Sequence, residues 1–381
     1  MFRSVFGLGF ASLAFLGCEE SAAGGGGSGS TGTETGGSGG SGGAVPCEPG
    51  THETPDGCAA DLIEWTDGPP IPERRDHHTT CVMNNADGAF LVVTGGGQDN
   101  AALFDTTVFA PIAADGTVGS WSVGPTLPQP AAGGAVAVVG DAVLFSGGYR
   151  QGAVSPLLSD QTNVMRLLPD GTFSEWIDGP EMSTTRFHHA SIAVGESAYV
   201  TGGMTGSNNT NTPSVQRSVR GVDGSFGSFE ELTPLPDMRS HHSIVAHDGA
   251  LYISGGLRGN PSGSHESLSD VLRAPIEADG TIGTWELVGD LDVELSTHSS
   301  FVFAGQLYVA GGIEGGSENV QRVRRAPFEN DGSIGAWEEV AELPTRRAHA
   351  HQTPVWNGFV YAVGGALNHD SIDNVWIGRF E

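Results

Sequence analysis

RSHHSIVAHDGALYISGG, Arg239–Gly256, reads as a β-hairpin: the apolar runs SIVA and ALYIS flank a tight polar turn at His247-Asp248-Gly249. An arginine and two adjacent histidines precede the hairpin, and Gly255-Gly256 closes it. The phrase recurs. Gly-Gly pairs begin at Gly95, Gly147, Gly202, Gly255, Gly311 and Gly364, and a degraded W-x-x-G-P-x-[LIM] word opens at Trp65, Trp121, Trp176, Phe229, Trp285 and Trp337. Most units continue with a phrase like VLRAPIEADGTIGTW (Val271–Trp285): a strand, an Asp-Gly turn and an outer strand ending on an aromatic. Six units of four short strands, repeating at roughly 55 residues, mark a repeat architecture. One such unit cannot bury both of its faces, but six arranged radially bury each other's.

These residues resemble the kelch repeat: an Arg, a His three places later, an apolar hairpin with Tyr, then Gly-Gly, and a Trp near the end. Residues 60–381 carry the pattern, and the resemblance implies an all-β, six-bladed β-propeller. The last unit ends after its third strand, NVWIGRFE, while ADLIEW (Ala60–Trp65) is an orphan outer strand at the other end. Pairing of residues 60–65 with 374–381 would close the ring and remove its exposed edges.

The chain carries 17 Lys+Arg, all of them arginine, against 45 Asp+Glu, a formal charge of −28. That balance repels phosphate backbones and anionic lipid surfaces, so nucleic acid is excluded as a partner. Having no lysine, the chain also lacks Schiff-base chemistry and a Walker-type phosphate loop. Residues 1–18, MFRSVFGLGFASLAFLGC, combine Arg3 with an apolar run too short to span a bilayer, and so read as an export signal. FLGC resembles the lipobox of bacterial lipoproteins, with Cys18 as the lipid-bearing residue, although Phe15 stands where that motif prefers leucine. An ordinary secretory signal is the alternative. Residues 19–46 are Gly/Ser-rich and read as a tether. Glu19 resembles the outer-membrane-sorted type, so a lipid anchor in the cell envelope, on the outer membrane, is the expected address. In the Cys-flanked loop 47–59 an exported protein is expected to join Cys47 to Cys58 by a disulfide. Cys81 lies in an apolar stretch and reads as a buried small side chain.

In an up-and-down blade, the HDG-type and ADGT-type turns share one face, and the links between blades and those after Gly-Gly share the other. The second group is long and varied: QDNAALFD, YRQGAVSPLL, MTGSNNTNTPS, LRGNPSGSHES. Variable loops on a rigid scaffold are where binding usually resides. Aligned back from Gly-Gly, the second histidine of the pair corresponds to His78, His189, His242, His298 and His351, with Gly134 in blade two. A near-universal residue of this kind is expected to pack the start of the inner strand. The first histidine recurs only as His77, His188 and His241, with Gly133, Thr297 and Ala350 elsewhere. This trio, with Arg75, Arg186 and Arg239 two residues upstream, is the candidate ligand site: imidazoles bind a transition metal or, protonated, an anion. The competing reading makes it another habit of the repeat.

No metal or cofactor is expected and no catalytic residue is assigned. Galactose oxidases, kelch-propeller copper enzymes, need a tyrosine set that is missing here, since Tyr199, Tyr252, Tyr308 and Tyr361 are repeat positions. N-acetylneuraminate epimerases are similar in repeat grammar alone. Two functions compete. In the first, a monomeric, non-catalytic envelope lipoprotein binds a protein or carbohydrate partner on its variable loops. In the second, a surface or periplasmic enzyme acts on a sugar or sugar acid at the channel mouth. A purely structural role in the envelope is compatible with both sets of features.

Overall fold

Adjacent blades approach so closely at each Gly-Gly that no side chain fits between them. A Cβ on Gly147, Gly202 or Gly255 would lie 2.5, 2.5 and 2.2 Å from the backbone oxygens of Arg186, Arg239 and Leu295 in the following blade. These glycines also hold φ near +55 to +60°, a region that glycine enters without the strain a Cβ brings. The second glycine then donates its N–H to the same neighbour, as from Gly148 to Arg186 O (2.9 Å) and from Gly365 to Arg75 O (3.0 Å).

A computed structural model describes residues 51–54, 57–60, 62–99, 102–151, 157–205, 210–259, 265–350 and 352–380, with side chains from 64 onward. The chain is an all-β propeller of six four-stranded antiparallel blades. Blade four is representative: Ser243–His247, Ala250–Arg258, Glu266–Pro275 and Glu286–Asp290 run from the axis outward. The sixth blade is composite. Its third strand, Val375–Phe380, pairs antiparallel with Leu62–Asp67, in register from Glu64↔Arg379 to Asp67↔Trp376 and shifted by one residue at Leu62↔Phe380. A short hairpin, Thr51–Thr54 with Gly57–Ala60, precedes that strand. Cys18, the Gly/Ser-rich segment, Cys47 and His351 lie outside the described residues.

The core is divided among the interfaces between blades. Leu251, Ile253 and Leu272 of blade four pack with Tyr199 and Val215 of blade three. On the tight-turn face three of the four repeat-position tyrosines reach the Asp-Gly turn of the next blade: Tyr199 Oη donates to Gly280 O (2.7 Å), Tyr252 Oη to Gly332 O (3.2 Å) and Tyr361 Oη to Gly116 O (3.2 Å). That last bond crosses the closure, joining blade six to blade one. Cys81 is buried and unpaired by disulfide, and burial pushes its thiol up to about 12, where it stays protonated and unreactive.

Deleting residues through Asp67 therefore leaves Val375–Phe380 as a bare edge. The truncated chain is expected to melt about 5–10 °C lower in calorimetry and to self-associate on size exclusion. An unchanged melting temperature would mean that the closing strand carries little stability.

Candidate functional site

The links that enter the inner strands on the loop face turn through one left-handed residue each: His77 (φ 52°), Gly133 (66°), His188 (52°), His241 (56°), Thr297 (54°) and His349 (56°). These residues form a ring around the propeller axis, hydrogen-bonded through their backbones. His77 N–H donates to His349 O (2.8 Å), Gly133 to His77 (2.8 Å), His188 to Gly133 (2.7 Å), His241 to His188 (2.9 Å) and Thr297 to His241 (2.9 Å).

The ring corrects the reading of blade six. His349, not Ala350, occupies the first-histidine position, and Ala350, not His351, the second: a Cβ on Gly365 would meet Ala350 Cβ where one on Gly256 or Gly203 would meet His242 or His189. Blade six has one more residue between this position and Gly-Gly than blades two to five. Pro354, which cannot donate to a ladder, lies in that stretch, and the inner strand shrinks to Val355–Trp356. Counting back from Gly-Gly therefore lands one residue late.

Four imidazoles thus line the ring. Gly133 contributes no side chain, so His77 and His188 meet across it with ring centroids 4.9 Å apart. His349 lies 4.4 Å from His77, and His188 stacks on His241 at 3.9 Å. Phe187 and Tyr149 extend the series outward on the loop face, at 4.4 Å from His188 and 6.2 Å from Phe187 respectively. Residues His188 and His241 are only 7% and 9% exposed. The rings face one another rather than a common centre, and among the described residues no group of three or more His, Cys, Asp or Glu is placed to hold a metal ion.

One carboxylate joins them. Asp76 bonds His77 Nδ1 and accepts from Ser371 Oγ (2.5 Å). Burial works to raise the Asp76 pKa, but the charge and hydrogen bond of His77, the Ser371 hydroxyl and the charge of His349 outweigh it and hold the group below its ordinary value. Ser371 also exchanges bonds with Asp99, accepting from its N–H at 2.8 Å and donating its own N–H to Oδ1 at 2.9 Å, so this network ties the loops of blades one and six. Neither His349 nor Asp76 was singled out in the sequence. The Arg-x-His spacing of Arg347 and His349, shared with Arg75 and His77, was the signal available for the first.

The three arginines paired with the trio point elsewhere. Arg75, Arg186 and Arg239 are buried, and each gives Nη1 to the first Gly-Gly carbonyl of its own blade, Gly95 O (2.9 Å), Gly202 O (2.9 Å) and Gly255 O (3.0 Å). Arg239 is further held by both oxygens of Asp270 (2.8 and 2.7 Å). Arg347 does the same work in blade six, bonding Gly364 O and Val363 O, and burial lowers its guanidinium to about 9. The second histidines are staples between blades: His189 Nε2 meets Ser146 Oγ, His242 Nε2 Thr201 Oγ1 and His298 Nε2 Ser254 Oγ, each at 2.9 Å, and His78 Nε2 meets Val363 O at 3.1 Å. Blade two has no room for one: a Cβ on Gly134 would already lie 2.6 Å from the Phe145 ring.

Blades, Gly-Gly seams and Arg/His staples together define a kelch-repeat β-propeller. The kelch motif is matched over residues 238–273. The chain is 28% identical over 218 residues to Kelch repeat and BTB domain-containing protein 12 of Danio rerio, covering 50% of this chain and 34% of that protein. It is 31% identical to Kelch-like protein 33 of Homo sapiens (37% and 25% covered), and 23% identical to beta-scruin of Limulus polyphemus (52% and 21%). The chain thus spans between about a fifth and about a third of these relatives' lengths. Among solved structures it is similar to that of YjhT, with a TM-score of 0.62 over 81% of this chain and 95% of the other, at 12% identity, a likeness of fold alone.

The buried staples set a pH dependence. Burial, aided at His78 by Arg75 and Arg347, drops His78 to about 3, and burial drops His298 to about 3, from 6.5. The unfolded chain therefore takes up these protons first, so stability is full above pH 6.5 and falls as pH drops toward 3, by about 1.4 kcal/mol per unit for each histidine. Urea titrations between pH 7 and 5 are expected to show this decline, with a shallower slope in His298→Gln; a flat profile would place charge on the folded-state histidines.

Proposed function

We propose that the chain is an exported lipoprotein, anchored through Cys18 in the cell envelope, that presents its propeller as a non-catalytic binding scaffold. Supporting the anchor are the short apolar leader, the FLGC sequence and the Gly/Ser-rich segment that follows. Supporting the scaffold is one structural observation above the rest: every blade extends, after its Gly-Gly, into a two-stranded ribbon or a prolonged hairpin on the same face, and among the described residues no two carry the same exposed groups. Blade one shows Asp99, blade two Leu157, and blade six Asn368, His369 and Asp370. In blade four Arg258 bridges Asp237 and Glu266 at 2.9 and 2.7 Å. Kelch propellers commonly serve as protein-interaction scaffolds, and such a rim, held on rigid blades, suits a protein or carbohydrate partner.

A second reading, an enzyme acting on a sugar or sugar acid at this face, draws support from the Asp76–His77 pair. A carboxylate that fixes one imidazole nitrogen leaves the other oriented as a base, and the His77 side chain is 14% exposed.

Three variants separate these readings. Palmitate labelling of the full chain in cells is expected to disappear in Cys18→Ser; persistent labelling elsewhere, or none in the wild type, removes the anchor. Replacing the blade-one and blade-six ribbons by Asn-Gly turns should abolish cross-linking to envelope components while leaving the melting temperature within a few degrees. Turnover of free sugars that vanishes in His77→Ala would favour the enzyme instead.

A further inference from the structure

On the tight-turn face the blades share a second repeated device, and blade six lacks part of it. In blades three, four and five the tyrosine that precedes Gly-Gly has an arginine as its partner on the third strand: Tyr199↔Arg217, Tyr252↔Arg273 and Tyr308↔Arg325. Each arginine in turn pairs in register with a glutamate of the outer strand, Glu230, Glu286 or Glu338. Arg217 is buried and bridges two blades. It gives Nε to Glu230 Oε1 (2.7 Å) and Nη1 to Asp279 O (2.7 Å), in the blade-four turn that Tyr199 Oη also reaches. Arg273 lies against the next turn in the same way, since a Cβ on Gly332 would come within 2.6 Å of its Nε.

Blade six keeps the tyrosine and the turn but not the ion pair. Tyr361 Oη donates to Gly116 O (3.2 Å), and the turn Ala114-Asp115-Gly116-Thr117 matches Ala278–Thr281 residue for residue. Beside Tyr361 stands Ile377 in place of the arginine, and beside Ile377 stands Thr66 in place of the glutamate. With these shorter side chains in its wall, a pocket of about 260 Å³ opens between blades six and one, in scale with a single side-chain head group rather than a large ligand. The Phe359 ring, packed against Gly116, forms another side. Asp115 and Glu64, both exposed, bring carboxylates to the pocket. The N–H and hydroxyl of Thr117 hold the Asp115 carboxyl below its ordinary pKa, so it is ionised at neutral pH. Arg379, the register partner of Glu64, is the one cation among the lining residues, which leaves a negative charge in excess.

A guanidinium stacks on aromatic faces and pairs through its planar fork with carboxylates and carbonyls. Phe359, the Asp115 turn and Glu64 offer those contacts where blade three fills the equivalent place with its own arginine. We propose that the pocket between blades six and one binds a guanidinium group from outside the chain, carried by an arginine side chain of a partner or by a small guanidine. The site lies on the face opposite the variable ribbons and does not depend on the scaffold reading.

Saturation-transfer NMR and calorimetric titration of the full chain would use butylguanidine and the blocked tripeptide acetyl-Gly-Arg-Gly-amide as probes, with the matching citrulline tripeptide as a neutral isostere. Both guanidinium probes are expected to bind and the citrulline peptide to fail. Tighter binding of the arginine peptide than of butylguanidine assigns the group to a protein partner, and the reverse order to a free guanidine; either upholds the site. Ile377→Arg/Thr66→Glu, which rebuilds the blade-three pair, should abolish binding without lowering the melting temperature. Asp115→Asn, which keeps the oxygen that caps Thr117, should weaken it about tenfold, while His77→Ala on the loop face leaves it intact. Binding of neither guanidinium probe, or equal binding of the citrulline peptide, would overturn the proposal. Undiminished binding in the refilled variant with a native circular dichroism spectrum, or in Asp115→Asn, would overturn it as well.

Discussion

Contact between blades at the Gly-Gly seam is the constraint on which everything else rests. The backbone of one blade sits where the side chain of the previous blade would be, at separations of 2.2–2.8 Å from an added Cβ. So close an approach buries carbonyls and amides that need partners, and the sequence supplies them at fixed offsets. In blades one, three, four and six an arginine at the start of the inner strand fills the carbonyl side, at Gly95, Gly202, Gly255 and Gly364, and in blades one, three, four and five the second histidine packs beside a seam glycine. Histidine suits the second role because it is flat and donates or accepts at Nε2. Its partner therefore varies from a serine (Ser146, Ser254) to a threonine (Thr201) to a backbone carbonyl (Val363).

This division explains how far the sequence could be read. The blades were legible because their period, turns and glycines are enforced six times over, so errors in one unit are outvoted by the others. The closing strand was legible for the same reason: a unit lacking an outer strand at one end matched a surplus strand at the other. Blade six escaped that protection at one point. Pro354 and a single added residue shift its inner strand, and the alignment that held in blades two to five slipped past His349.

Site residues were harder to read, since they are defined by neighbours from distant parts of the chain. Asp76 is one of 45 acidic residues, and nothing local distinguishes it; only the fold brings Ser371 and His349 beside it. Arg75, Arg186 and Arg239 looked like positive charge offered to the histidines, yet a two-residue offset across a left-handed turn sends the guanidiniums into the blades.

The fate of the arginines also bears on what this molecule can bind. The chain has 17 of them for its 45 acids, but Arg75, Arg150, Arg186, Arg217, Arg239, Arg325 and Arg347 are all buried against backbone carbonyls or carboxylates. Several of the rest are tied to exposed acids, as Arg322 is to Glu314 and Arg258 to Glu266. A partner therefore meets few unpaired guanidinium groups on a chain of formal charge −28, because the positive charge is largely inside or paired with acids. Such a surface turns away anionic ligands and steers cationic or neutral ones. An imidazole arc packed on itself, with its one carboxylate engaged, does not reverse that field. Recognition on the loop face thus has to come from the shape and hydrogen bonding of the ribbons, helped by the Tyr149–Phe187 rings, rather than from a concentrated positive charge.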